Sequence, residues 1–182
     1  MLVRAELHEI LHGDRGMIQG IRACLDRECL VSSVTLIYAM IDALAALTRP
    51  MTEAKTSGAI FRDWVKDYMS HKELGCTPTD LWGARCGVLH LYSPESDYSL
   101  QGRANRLYYQ WSQGPAANSS VDLPKGSLTI NIEDLFASAV AAADRFADAA
   151  DNDSSVGNSV KHHLQQLLCY KPFTTLAHAH AA

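Results

Sequence analysis

The sequence predicts a mainly α-helical fold, a helical bundle that carries one small two-stranded antiparallel hairpin. Apolar residues recur at helical spacing through most of the chain. They make up 47% of its 182 residues, which is enough for one domain with its own core. After about residue 104 the pattern changes to alternating apolar and polar residues, which is typical of strands. We therefore expect one helical-bundle domain over residues 1–150, with the hairpin at about 104–132.

Three segments in the first part of the chain are predicted to be helices. Residues 18–29 carry apolar side chains on one face and charged side chains on the other. Residues 30–47 are apolar on nearly all sides, which indicates a central helix covered by its neighbours. Residues 61–69 resume the helical spacing after a polar loop. Together these segments supply most of the expected core.

A fourth helix is predicted from Thr77 to about Leu91, because its first residues form a strong start signal. Thr77 is a good N-cap, and Pro78 suits the first helical position. Asp80 falls near the positive end of the helix dipole. Pro94 lies just beyond the expected end of this helix.

The second part of the chain changes period and then returns to helix. Residues 107–111 and 128–132 alternate apolar and polar side chains, and we read them as two antiparallel strands joined by a long loop. Residues 133–150 form an alanine-rich final helix. Residues 151–182 begin with Asp, Asn, Ser and Gly, which predicts a linker and a C-terminal tail with a short helix at about 160–169.

The charge and the cysteine content limit the classes of function that the chain can have. The formal net charge of −4 argues against a surface that binds polyanions over its whole extent. The five cysteines form no C-x-x-C pair and lie mostly in apolar surroundings, which favours buried thiols in a reducing compartment. The first residues are charged where a signal peptide needs an apolar core, and the longest apolar run contains Asp42. We expect a cytoplasmic protein with no membrane partner.

The stretch from Thr77 to His90 places Arg85 and His90 five positions apart in an otherwise apolar run. An Arg offers a fork of donors to phosphate oxygens, and a His can transfer protons near neutral pH. On a helix the two side chains lie about 140° apart, so a site requires convergence at one helix end or across two chains. Candidate substrate-binding residues follow along the chain, namely Tyr92, Ser93, Arg103 and Arg106.

The run A-R-C-G-V-L-H, which ends at His90, resembles the R-x4-6-H signature of HEPN domains (higher eukaryotes and prokaryotes nucleotide-binding), which are α-helical bundles. Residues 21–45 and 61–69 resemble segments of a group of bacterial proteins with the same motif. The resemblance covers about residues 18–111 and the helix after Ile132. It implies a HEPN-like helical bundle that works as a homodimer.

The same resemblance implies a metal-independent endoribonuclease without a cofactor. Arg85 would hold the scissile phosphate, and His90 would act as general acid–base for attack by the RNA 2′-hydroxyl. In the family, the Arg and His of two protomers meet at a composite site. Cys86 occupies the position after the Arg, where nuclease members often carry a polar residue. Some members are non-catalytic, so a binding or protein-interaction module on the same scaffold is the alternative function.

A purely structural role for these residues is also open. Arg85 would then be the ion-pair partner of Asp42 or Asp80, and His90 would cap its helix. Asp42 stands alone in an apolar helix, and a buried carboxylate without a partner is costly. The sequence therefore predicts a partner for Asp42 whether or not the site is catalytic.

The N-terminal residues from His8 to His12 match H-E-x-x-H, in which two His one turn apart hold zinc and the Glu activates water. The context does not favour a zinc hydrolase. Gly13 follows at once, Arg15 stands where the metzincin extension requires Gly, and Glu28 as third ligand has no supporting pattern. An exposed amphipathic turn is the simpler interpretation, and we predict no metal ligands.

Overall fold

The structure is a computed structural model that describes residues 2–111 and 122–165. The fold over these residues is mainly helical, with one two-stranded sheet, as the apolar periodicity predicts. In chain order the elements are α1 (Leu2–His12), α2 (Met17–Asp26), α3 (Leu30–Ala46), α4 (Gly58–Tyr68), α5 (Pro78–Leu91), α6 (Asp97–Leu100), β1 (Arg106–Gln110), β2 (Ser127–Asn131), α7 (Ile132–Asn152) and α8 (Ser154–Leu164).

Helix α3 is the centre of the bundle, as its apolar composition predicts. It packs against α2, α4, α5 and α7, and Ile37, Tyr38 and Ile41 on it are fully buried. The Tyr38 hydroxyl lies 2.8 Å from the Tyr109 hydroxyl on β1, so a hydrogen bond joins the central helix to the sheet. Within residues 2–111 and 122–165, no helix has both the length and the apolar composition needed to cross a bilayer.

The predicted start of α5 is confirmed. The Thr77 side chain accepts a hydrogen bond from the Asp80 amide, and the Asp80 carboxylate accepts from the Thr77 amide. The other Asp80 oxygen accepts from the backbone amide and the side-chain amide of Asn105, at 2.6 and 3.2 Å. Asp80 is 2% exposed, so one buried carboxylate begins α5 and also holds the chain that leads into β1.

The two strands form where the alternation predicts them, but they are parallel, and the predicted antiparallel hairpin is wrong. Arg106 pairs with Ser127 and Gln110 pairs with Asn131, so both strands run in the same direction. Alternation cannot distinguish these cases because side chains alternate faces in both kinds of pair. The connection over residues 111–126 is long enough for the crossover that parallel strands require.

The N-terminal residues form a packed helix and not the exposed turn that the sequence favours. Leu7 and Leu11 are 0% and 1% exposed, and α1 contacts α2 and α7. A helix of this length is marginal in isolation, so its stability comes from the tertiary contacts that cover these leucines.

The C-terminal part also differs from its predicted linker. Only Asp153 separates α7 from α8, and its side chain accepts hydrogen bonds from the amides of Ser155 and Val156. Helix α8 packs on α7 and buries Val160 and Leu164. The predicted short helix at about 160–169 therefore begins earlier, at Ser154, and residues 166–182 lie outside the described part of the chain.

Candidate functional site

Arg85 on α5 faces Asp42 on α3, and the two side chains form a bidentate ion pair. The Arg85 Nε donates to Asp42 Oδ1 at 3.1 Å, and Nη2 donates to Oδ2 at 2.6 Å. The Arg85 side chain is 17% exposed and the Asp42 side chain 25%. Of the two acids considered from the sequence, Asp42 is therefore the partner, because Asp80 is committed to Thr77 and Asn105.

Arg85 also reaches His90, so the two residues of the motif meet within one chain. The Arg85 Nη1 lies 3.1 Å from the His90 Nε2. The long guanidinium side chain spans the turn of α5 that separates them, and His90 lies in the last turn of the helix. A guanidinium can only donate, so His90 Nε2 must accept, and the ring in this arrangement carries its proton on Nδ1.

The environment keeps Arg85 charged. Burial disfavours the charged form, but the hydrogen bonds and the charge of Asp42 outweigh it, so the pKa of Arg85 is raised. The Trp82 ring lies beneath the guanidinium, 5.2 Å from centroid to Cζ. Burial also raises the pKa of the neighbouring Cys86 thiol, although the Arg85 charge opposes that shift. Cys86 is therefore poorly suited to act as a nucleophile beside the pair.

The pair is open to solvent on the His90 side. His90 is exposed, and Arg85 keeps part of its surface accessible. The contacts with Asp42 and His90 use three of the five N–H donors of the guanidinium. The arrangement is chemically a fixed cation beside an accessible imidazole, which can hold an anion such as a phosphate and exchange a proton next to it.

A close approach of the backbone at Gly87 shapes the surface next to the pair. A Cβ at this position would lie 2.7 Å from the Glu95 carbonyl oxygen and still closer to that of Ser93. Tyr92 ends α5 in the left-handed conformation, with φ of 50°, and the chain then folds back over the helix. The glycine inside the motif therefore has a packing role that the sequence analysis missed.

The four candidate substrate-binding residues have separate contacts, and none of these contacts involves Arg85 or His90. Tyr92 is 73% exposed, and the Ser93 hydroxyl accepts a hydrogen bond from the Glu95 amide. Arg106 Nε donates to Glu95 at 3.0 Å, and the Arg103 guanidinium lies 4.1 Å above the Tyr98 ring. The structure thus brings Arg85, His90 and Asp42 together but does not join the four others to them.

An apolar cavity of about 300 Å³ opens beside the end of α5. Tyr92 and Ser93 form part of its wall, and the first residues of α3 form another part, including Val31, which is 66% exposed. Tyr109, the partner of Tyr38, lines its floor, and burial is the main cause that raises the pKa of this phenol. The sequence analysis missed this cavity because its residues come from segments far apart in the chain.

The H-E-x-x-H residues are engaged in other contacts. The His8 and His12 rings stack with centroids 4.9 Å apart, and His12 Nε2 lies 2.7 Å from the Asp144 carboxylate on α7. Over the residues that the structure describes, no group of three or more His, Cys, Asp or Glu side chains is arranged to hold a metal ion. His12 and Asp144 instead join α1 to α7.

Comparisons of this chain with known proteins found no match. No protein-family model matches the chain, and no curated protein and no solved structure matches it significantly.

Proposed function

We propose that this chain is a HEPN-like, metal-independent endoribonuclease that acts in the cytoplasm as a homodimer, with Arg85 and His90 as its catalytic residues. The observation that carries the proposal is the 3.1 Å contact between Arg85 Nη1 and His90 Nε2, with the guanidinium held by Asp42 and the imidazole open to solvent. Metal-independent cleavage of RNA can use an accessible acid–base group beside an oriented cation, and this arrangement supports the proposal.

Asp42 orients the guanidinium in this proposal. Because Nε and Nη2 both donate to its carboxylate, the Nη1 edge is turned toward His90. A bound phosphate oxygen would take the Nη1 hydrogen that His90 accepts in this structure. Substrate binding would thereby free His90 Nε2 to accept a proton. Asp42 is thus a positioning residue and does not touch the substrate.

The proposed reaction uses each of these groups in turn. His90 takes the proton of the RNA 2′-hydroxyl as its oxygen attacks the adjacent phosphorus, and Arg85 stabilises the charge that develops on the phosphate oxygens. The 5′-oxygen leaves with a proton from a second acid, for which a second protomer would supply its own imidazole. The products are a 2′,3′-cyclic phosphate and a 5′-hydroxyl, and no water or metal is consumed in this step.

The decisive experiment incubates the purified protein with single-stranded RNA in EDTA and analyses the new ends. We expect 2′,3′-cyclic phosphate ends, a loss of at least about 10²-fold in rate for His90→Ala, and a similar loss for Arg85→Ala. The matched controls are His162→Ala, an exposed His on α8, and Arg4→Ala, from an exposed ion pair with Asp148. Both controls should keep the parent rate.

A conservative variant of Asp42 separates an effect on catalysis from an effect on folding. Asp42→Asn keeps the shape of the side chain, so the chain should still fold, but it weakens the orientation of the guanidinium. Cleavage should fall by about 10-fold in kcat with little change in KM, since Asp42 does not contact RNA. RNA that stays intact with folded wild-type protein, or cleavage that persists in His90→Ala, would overturn the nuclease proposal.

The second candidate is a non-catalytic binding module on the same scaffold. Two observations favour it: Asp42 already binds the guanidinium on two nitrogens, and the nearby apolar cavity is bordered by exposed Val31 and Tyr92. Under this alternative RNA is unchanged, and Tyr92→Ala alters association with a partner while His90→Ala does not. The RNA assay therefore distinguishes the two functions.

A further inference from the structure

Helix α2 ends in a Schellman motif whose two interacting positions are both cysteines. The Cys29 amide donates to the Cys24 carbonyl at 2.8 Å, and the Glu28 amide donates to the Leu25 carbonyl at 2.9 Å. Glu28, between them, is in the left-handed region, with φ of 55°. These two bonds and the left-handed residue define the motif, in which the side chains at the first and last positions commonly contact each other.

The Schellman motif brings the backbones of the two cysteines close together. The 6→1 hydrogen bond holds the two backbones side by side, which suits the roughly 5.5–6 Å between Cα atoms that a disulfide spans. The Cys29 thiol lies 3.7 Å from the Arg27 carbonyl oxygen, so it is folded back over the turn. Cys29 is exposed and Cys24 is partly exposed, and both are free thiols in this structure. The prediction from the sequence that the cysteines are buried is therefore correct only in part.

We propose that Cys24 and Cys29 form a redox site that peroxide converts to an intramolecular disulfide. The exposed Cys29 sulfur attacks hydrogen peroxide, the O–O bond breaks, and a sulfenic acid and water form. The Cys24 sulfur then attacks the Cys29 sulfur, and the sulfenic oxygen leaves as a second water. Two thiols and one peroxide thus give one disulfide and two waters. Reduction by a thiol reverses the change.

The disulfide would brace the turn between α2 and α3. Cys29 is the N-cap of α3, and the next two residues, Leu30 and Val31, line the apolar cavity. Formation of the disulfide would therefore restrain the residues that form this wall of the cavity. This inference stands independently of the nuclease proposal, because neither cysteine touches Arg85 or His90.

Peptide mapping tests the site directly. The folded protein is treated with hydrogen peroxide, alkylated, and digested with trypsin, which cleaves after Arg22, Arg27 and Lys55 but not before Pro50. Because Arg27 lies between the cysteines, the disulfide joins peptide 23–27 to peptide 28–55, and each contains one cysteine. We expect this linked pair as the main oxidised product, and a reducing thiol should abolish it.

Two comparisons make the result decisive. Cys86→Ser should leave the link intact, and Cys29→Ser should remove it. The linked pair should form roughly 10-fold faster in the folded protein than in urea, since the motif places the thiols together before oxidation. A main product that joins Cys29 to another cysteine or to a second chain would overturn the proposal. Equal rates in the folded and unfolded chains would do the same.

Discussion

The ion pair between Asp42 and Arg85 leads to a quantitative prediction about stability. Asp42→Ala leaves a partly buried guanidinium without its bidentate acceptor. Breaking a fully buried pair costs about 3–5 kcal/mol, whereas an exposed pair contributes about 0.2–1 kcal/mol. With side chains 17% and 25% exposed, this pair lies between the two limits, and we expect a loss of about 2 kcal/mol in the free energy of unfolding.

A double-mutant cycle isolates the interaction. Asp42→Ala and Arg85→Ala should each cost about 2 kcal/mol, and the double variant should cost little more, because the second change removes a charge that has already lost its partner. The coupling energy is then about 1.5 kcal/mol, measured by urea unfolding followed by circular dichroism. High salt should reduce this coupling only in part, since the pair is mostly shielded from solvent.

The Arg4–Asp148 pair provides the matched control, because both of its side chains are more than half exposed. Its cycle should give a coupling below about 0.5 kcal/mol. If the stability losses of the Asp42 and Arg85 variants were additive to within about 0.5 kcal/mol, Asp42 would not hold the guanidinium in place. The orientation of the guanidinium toward His90 would then need another cause.

Three further predictions concern the stability of the fold. Asp80→Ala should cost about 3–4 kcal/mol, and roughly 10 °C in Tm, because the partly buried donors of Asn105 and the amide of Thr77 lose their acceptor. Gly87→Ala should destabilise by more than about 2 kcal/mol, since its Cβ would meet the backbone of the returning loop. Burial, and then the charge of Arg49, lowers the pKa of His163. Stability should therefore be unaffected above the unfolded pKa of about 6.5 and fall as the pH drops below it.

Matched variants check each of these. Asp134→Ala, at an exposed acid in the first turn of α7, should cost less than about 1 kcal/mol. Gly20→Ala, where an added Cβ meets nothing within 4 Å, should stabilise by up to about 1 kcal/mol. His163→Gln should flatten the loss of stability between about pH 7 and pH 5.5. Parallel pH profiles for the parent and this variant would contradict the assignment to His163.

Several elements were predictable because their causes are local. The start of α5 is signalled by Thr77, Pro78 and Asp80, which lie within four consecutive residues, and the apolar composition of α3 requires packed neighbours on every side. The need of Asp42 for a partner also followed from sequence, because an isolated carboxylate in an apolar helix is costly. Which acid pairs with Arg85, Asp42 or Asp80, did not follow from the sequence, since it depends on how α3 and α5 pack.

The sequence by itself determined where both strands and most of the helices form, because periodicity and caps act over a few positions. Tertiary structure decided the parallel direction of β1 and β2, the helix at Leu7 and Leu11, and the packing of α8. It also decided that Arg85 meets both His90 and Asp42. These features depend on contacts between segments far apart in the chain, and no local pattern specifies such contacts.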